Sequence, residues 1–213
     1  NSEFWSDRIA IVINNSDLEI SEAGYDTKAK KFAGKLKSKS IDPQDIALFV
    51  PQLSHLTKSF TLETEAEGQL PYINVKKLIT TYGDETQIDI SASIADYSKY
   101  DTADINIDVR QLKFSPDDLE AFIRIGSPQY VSPQQLRATG NMDMHLTAKG
   151  KLSRFNYEGI LLTPQGNISL SGVGGGDKNF KNFLFETAVS TENILLANII
   201  GEKPGINHVS LKT

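Results

Sequence analysis

The chain has 213 residues, a formal net charge of −5 and 39% hydrophobic residues, enough to bury a core as one or two domains. The acidic balance argues against sequence-independent nucleic-acid binding, which needs clustered Lys and Arg. The absence of cysteine excludes disulfides, thiolate metal sites and cysteine nucleophiles, and no run approaches the ~18–20 apolar residues of a membrane-spanning helix.

Residues 25–50 set a phrase: Tyr25-Asp26-Thr27, a basic stretch, then Asp42-Pro43-Gln44-Asp45-Ile46 and Phe49-Val50. In the basic stretch Lys28, Lys30, Lys31, Lys35, Lys37 and Lys39 mostly alternate, which reads as the solvated face of a strand rather than a phosphate-binding patch. Asp42 can cap a short helix with Pro43 at its first position. Two alternating stretches follow. Phe60, Leu62, Thr64 and Ala66 oppose Thr61, Glu63, Glu65 and Glu67; Ile88, Ile90, Ala92 and Ile94 oppose Gln87, Asp89, Ser91 and Ser93. Period 2 with one dry and one wet face predicts half-buried antiparallel strands.

The phrase then returns as Tyr100-Asp101-Thr102, the strand Ile105, Ile107, Val109, and Ser115-Pro116-Asp117-Asp118-Leu119 with Phe122-Ile123. The Tyr-Asp-Thr copies lie 75 residues apart and the prolines 73. Segment 127–138, with two prolines, reads as a loop with one helical turn after Ser132. Met142, Met144, Leu146 and Ala148 mark another strand, as do Phe183, Phe185, Thr187 and Val189. A third echo, Ser190-Thr191-Glu192-Asn193-Ile194, predicts a helix from Thr191 through Leu195, Ile199 and Ile200, ended by Gly201. Gly68, Gly83, Gly150, Gly166 and Gly174-Gly175-Gly176 read as hairpin connections. The triple glycine lacks the Lys-Ser/Thr of a phosphate loop.

These signals predict a mainly β protein of tandem antiparallel β-meander repeats with a few short helices. A fixed period marks units that borrow their core from neighbours. Residues 1–41 end a preceding repeat, 42–114 and 115–190 are repeat units, and 191–213 begin a further one, all in one continuous elongated β domain. At least eight one-faced strands face only about three short helices. A sheet with an uncovered apolar face is unstable in water. It therefore folds over as a sandwich, curls into a taco-like groove with the apolar face inside, or packs on a partner. The chain begins at Asn1 without Met and opens and closes in mid-pattern. That reads as a piece of a longer protein, with targeting and anchoring signals outside it.

The inventory of reactive groups is bland. His55, His145 and His208 have no partners at ligand spacing, so no metal site is expected. No Gly-x-Ser-x-Gly elbow occurs. Asp117, Asp118 and Glu120 sit at a helix start, where the helix dipole accounts for them. The sequence predicts no catalytic residue, no metal and no cofactor. A carbohydrate-active enzyme on a β scaffold has the least support.

Ala66-Glu67-Gly68-Gln69-Leu70 and Ala148-Lys149-Gly150-Lys151-Leu152 resemble phrases of the AsmA-like and TamB-like envelope proteins. So does Asp104-Ile105-Asn106-Ile107-Asp108 leading to Phe114-Ser115-Pro116-Asp117-Asp118-Leu119. The likeness is to an internal segment of the long TamB-like proteins of the Bacteroidetes group, and covers roughly residues 15–213. It implies a periplasmic segment of a membrane-anchored parent, linked to phospholipid transport between membranes and to outer-membrane protein assembly. The implied partners are phospholipid acyl chains or client β-strands, with the inner and outer membranes engaged by other parts of the parent. The implied groove lining, placed where alternation supports it, is Ile88, Ile90, Ile94, Ile105, Ile107, Val109, Met142, Met144 and Leu146. The family's N-terminal anchor and C-terminal domain have no counterpart in the sequence. A self-packed adhesin-like β module that binds partner strands at its sheet edges is the alternative.

Overall fold

The computed structural model describes residues 3–99, 101–176, 183–195 and 208–212. Its strands are β1 (Glu3–Ile13), β2 (Ser16–Asp26), β3 (Lys31–Ile41), β4 (Phe60–Gln69), β5 (Tyr72–Tyr82), β6 (Thr86–Ala95), β7 (Asp104–Phe114), β8 (Met142–Lys151), β9 (Arg154–Thr163), β10 (Gly166–Gly176), β11 (Phe183–Leu195) and β12 (His208–Lys212). They form one open twelve-stranded sheet whose spatial order is the chain order, each strand antiparallel to the next. Among the described residues the extensive strand–strand contacts join chain neighbours. The sheet is single and open, and most apolar side chains on it are only half-buried.

Two helical insertions interrupt the meander. The helix α1 (Pro43–Ala47) and a 3-10 turn (Pro51–His55) join β3 to β4; α2 (Pro116–Gly126) and α3 (Gln134–Ala138) join β7 to β8. Strands β3 and β7 run in the same direction, so both insertions leave the same rim. The caps are those expected: the Asp42 carboxylate accepts from the Gln44 N–H, the Ser115 hydroxyl from the Asp118 N–H, and a proline opens each helix.

Bulges re-aim several strands, β5 and β7 among them. On β5 Lys76 is an extra residue between Val75, paired with Ala66, and Lys77, paired with Glu65. On β7 Arg110 is extra between Val109, paired with Ile90, and Gln111, paired with Asp89. Each extra residue shifts the alternation by one. The apolar face of β7 therefore continues from Val109 to Leu112 and Phe114, and that of β5 from Val75 to Leu78.

Three expectations are corrected. Gly68 and Gly150 are strand residues, and the turns fall one or two positions later, at Leu70-Pro71 and Leu152-Ser153. Gly174–Gly176 likewise belong to β10 rather than to a hairpin. Ring packing explains two of the placements: a Cβ on Gly68 would lie 2.7 Å from the Phe32 ring, and one on Gly174 2.6 Å from that of Phe155; at Gly150 and Gly175 it would meet neighbouring backbone. Aromatic side chains lie over glycines in neighbouring strands and cover backbone that would otherwise be bare. The helix expected from Thr191 is also absent, because β11 continues through Leu195; Ile199, Ile200 and Gly201 lie outside the described residues.

Candidate functional site: the apolar face and its helical rim

Directly paired residues of adjacent antiparallel strands point to the same face, so the register gives the face level by level. One level runs Ile9–Ile20–Leu36–Thr64–Leu78–Ile90–Val109–Leu146–Gly159–Leu170–Val189. The next runs Leu62–Thr80–Ile88–Leu112–Met144–Leu161–Ile168. Beyond the bulges lies Val75–Ala92–Ile107–Ala148–Tyr157, then a level of rings and glycines, Phe4–Tyr25–Phe32–Gly68–Ile73–Ile94–Ile105–Gly150–Phe155–Gly174–Phe185. At ~4.8 Å per strand the longest levels span roughly 50 Å.

All nine residues expected to line a groove share this face. Ile105, Val109 and Met142 are buried, whereas Ile88, Ile90, Ile94, Ile107, Met144 and Leu146 are only half-buried. The densest patch is Ile105, Ala148 and Phe155, with Ile94, Ile107, Leu146, Leu152 and Tyr157 packed against it. Among the described residues few apolar side chains are fully buried. The face is crowded by its own neighbours but is not a dry interior. Leu78, Leu112, Leu161, Leu170 and Tyr157 belong to it and were not anticipated. Bulges or glycines break the period in their strands; the repeated Val-basic-polar-Leu of Val75-Lys76-Lys77-Leu78 and Val109-Arg110-Gln111-Leu112 is the signal that could have found two of them.

The helical rim closes one end of the strands. Leu56 and Tyr82 are buried, and the Tyr82 ring lies 4.9 Å from Phe60 and 5.0 Å from Phe122. The Tyr82 hydroxyl accepts from the Thr57 N–H at 3.1 Å. Asp118, 2% exposed, accepts from Lys58 Nζ at 2.5 Å and from Thr86 Oγ1 at 2.7 Å. The carboxylate holds the Lys58 ammonium above its ordinary pKa. Asp45 repeats this device in the first insertion, accepting from Asn14 Nδ2 at 2.9 Å, the Asn15 N–H at 3.1 Å and Ser16 Oγ at 2.7 Å. The Asn14 amide first, then the Ser16 hydroxyl, hold its pKa below the usual carboxylate value. Glu120 accepts from the Ser132 N–H at 3.0 Å and pairs with Arg124 and Arg137; the Ser132 N–H is the main cause of its lowered pKa. Asp118 and Asp45 tie helices to strand ends, and Glu120 ties α2 to α3 and the loop before it, roles that a dipole argument alone did not anticipate.

The opposite face is polar and laced with ion pairs: Arg8–Glu19, Lys35–Glu22, Lys77–Glu63, Lys76–Glu67 and Arg110–Asp89. Exposed pairs of this kind contribute about 0–1 kcal/mol each. A cavity of about 580 Å³ crosses β7–β11, with Asp108, Arg110, His145, Thr147 and Glu158 in its lining. Val109, Leu146, Gly159, Leu170 and Val189 of the first apolar level border the same cavity, so its lining draws on both kinds of residue. His145 Nε2 lies 3.6 Å from Asp143 Oδ1. Among the described residues no group of three His, Asp or Glu side chains is placed to hold a metal ion, and no helix is long and apolar enough to cross a membrane.

Fold and site together define an open β-meander with one apolar face and a helically closed rim. The chain matches no known protein family, no curated protein and no solved structure.

Proposed function

We propose that the protein is a non-enzymatic scaffold of the bacterial cell envelope, working in the periplasm. Its apolar β face carries phospholipid acyl chains between membranes or holds client strands during outer-membrane protein assembly. The observation that carries this reading is the set of apolar levels crossing β1–β11 on one half-buried face. Acyl chains laid on the face remove apolar surface from water. At about 0.8 kcal/mol per buried CH₂, a chain of about fourteen carbons gains roughly 10 kcal/mol before ordering costs. The mechanism is passive: the face supplies area, and headgroups stay at the wet rim.

The test is native mass spectrometry with lipid extraction on protein purified from a bacterial host. Co-purifying phospholipid that is lost in Ile107→Asp and kept in Asp108→Asn supports the reading. Protein that takes up no added lipid, or equal occupancy in both variants, overturns it.

A second reading, a structural module that recruits strands by β-augmentation, has one observation in its favour. Among the described residues strand β1 has a partner on one side only, and it carries exposed Ile9, Ile11, Val12 and Ile13. Such an edge is a template for backbone pairing.

A further inference from the structure

Five of the six lysines of the basic stretch divide into two groups, and Lys39 lies near the end of β3. Lys35 and Lys37 stand on β3 in register with Glu65 and Glu63, and Lys35 pairs with Glu22 at 2.7 Å. Lys28 and Lys30 sit instead at the tip of the β2–β3 hairpin and Lys31 opens β3 opposite Asp26; all three are exposed and have no ion pair among the described residues. Asp26 shapes this tip by accepting from the Lys28 and Ala29 N–H groups at 2.8 and 2.9 Å.

Around the tip the protein exposes aromatic side chains. Phe4 is 63% exposed, Trp5 62%, Tyr72 41%, Tyr25 39% and Tyr97 39%. Phe4 and Tyr25 are in register on the apolar face, Trp5 and Tyr72 stand on the other face of the same strand ends, and the Tyr97 N–H reaches the Pro71 carbonyl of the β4–β5 hairpin. The Trp5 ring packs on Gly24, where a Cβ would lie 2.1 Å from it, and leaves its other side in water. A cavity of about 520 Å³ opens here, with Trp5, Tyr72 and Lys31 in its lining. Glu3, Asp26 and Glu67 also border it; Glu67 is neutralised by Lys76 at 2.7 Å. Exposed ammonium groups beside amphipathic rings are what the boundary between headgroups and acyl chains selects. The same corner ends the level of rings that runs into the apolar face.

We infer that the corner formed by the start of β1, the β2–β3 hairpin tip and the β4–β5 hairpin docks on an anionic phospholipid bilayer. The lysines meet lipid phosphates, and Trp5, Phe4 and Tyr72 enter the interface. This extends the lipid-handling reading and rests on it for the purpose of docking, but the two fail separately in experiment.

The test uses vesicles of phosphatidylcholine alone and of phosphatidylcholine mixed with phosphatidylglycerol. Trp5 is the chain's single tryptophan, so its emission reports this corner directly. The expected result is co-sedimentation with the anionic vesicles only, weakening as salt rises, with a blue shift of Trp5 emission. Replacing the three tip lysines together (Lys28→Gln, Lys30→Gln, Lys31→Gln) lowers that affinity roughly a hundredfold. Replacing Lys35, Lys37 and Lys39 with Gln removes equal charge and leaves binding within a few-fold. Equal binding to both vesicle types, an unmoved Trp5 emission, or equal loss in the two lysine variants overturns the inference. Ile107→Asp separates the readings: it removes bound lipid from the apolar face and leaves vesicle docking intact.

Discussion

Asp45 and Asp118 stand at the third position of helices whose opening prolines are 73 residues apart. Each carboxylate accepts from the hydroxyl that opens a strand, Ser16 of β2 and Thr86 of β6. The surroundings differ. Asp45 is held by neutral donors of the β1–β2 turn, and Leu48 and Phe49 beside its helix are exposed. Asp118 is held by an ammonium group, beside a rim packed with Leu56, Phe60, Tyr82 and Phe122. The polar clamp is thus repeated, while the apolar plug is built once. Lys58 follows the first insertion, so its pairing with Asp118 ties the two insertions together along the rim.

Truncation at the plug breaks this comparison most sharply. Tyr82→Ala is expected to cost about 3–5 kcal/mol, the range for removing a large buried aromatic side chain. Phe49→Ala in the other insertion should stay within about 0.5 kcal/mol. Urea denaturation measures both, and equal losses would mean that the insertions are equivalent after all.

The clamps rank next. Asp118→Ala strands the buried Thr86 hydroxyl and removes a charge-assisted bond, for a loss of roughly 2–3 kcal/mol. Asp45→Ala should cost less, because Asn14 and Asn15 at the more open turn recover water. Thermal unfolding of the two variants checks the order.

Acid sharpens the comparison with a smaller effect. Asp45 and Glu120 have folded pKa values below their ordinary 3.8 and 4.5. Their contribution is complete above those values and is lost as pH falls through the lowered ones. Lys58 has the opposite sign: its raised folded pKa contributes below 10.5 and is lost as pH climbs through the raised value. The melting temperature should therefore hold near neutrality and fall below about pH 4. Asp45→Asn should flatten the acid limb, whereas Lys58→Met should flatten the alkaline one. An acid limb unchanged by Asp45→Asn would remove that carboxylate from the account.

Much of this was legible before any coordinates. Strict alternation in Ile88–Ile94, Ile105–Val109 and Met142–Ala148 placed those residues on one face, and Asp42-Pro43 and Ser115-Pro116 marked both helix starts. What escaped has physical causes. The bulges at Lys76 and Arg110 shift the period by one, so Leu78 and Leu112 look out of phase. Glycines covered by Phe32 and Phe155 mimic turns, because a missing side chain reads the same whether it frees a turn or makes room for a ring. The bonds from Asp118 to Lys58 and Thr86 join residues sixty and thirty-two positions apart, and local spacing carries no trace of such pairs.

The central claim is that acyl chains lie on the apolar face and not on the polar one. Site-specific photo-crosslinking tests it most directly, with a photoreactive residue introduced at Ile107 or at its neighbour Asp108 on the opposite face. Irradiation in a bacterial host followed by intact-mass analysis should give a phospholipid adduct from position 107 and none from 108. Absence of the adduct at 107, or equal adducts at both positions, would contradict the account.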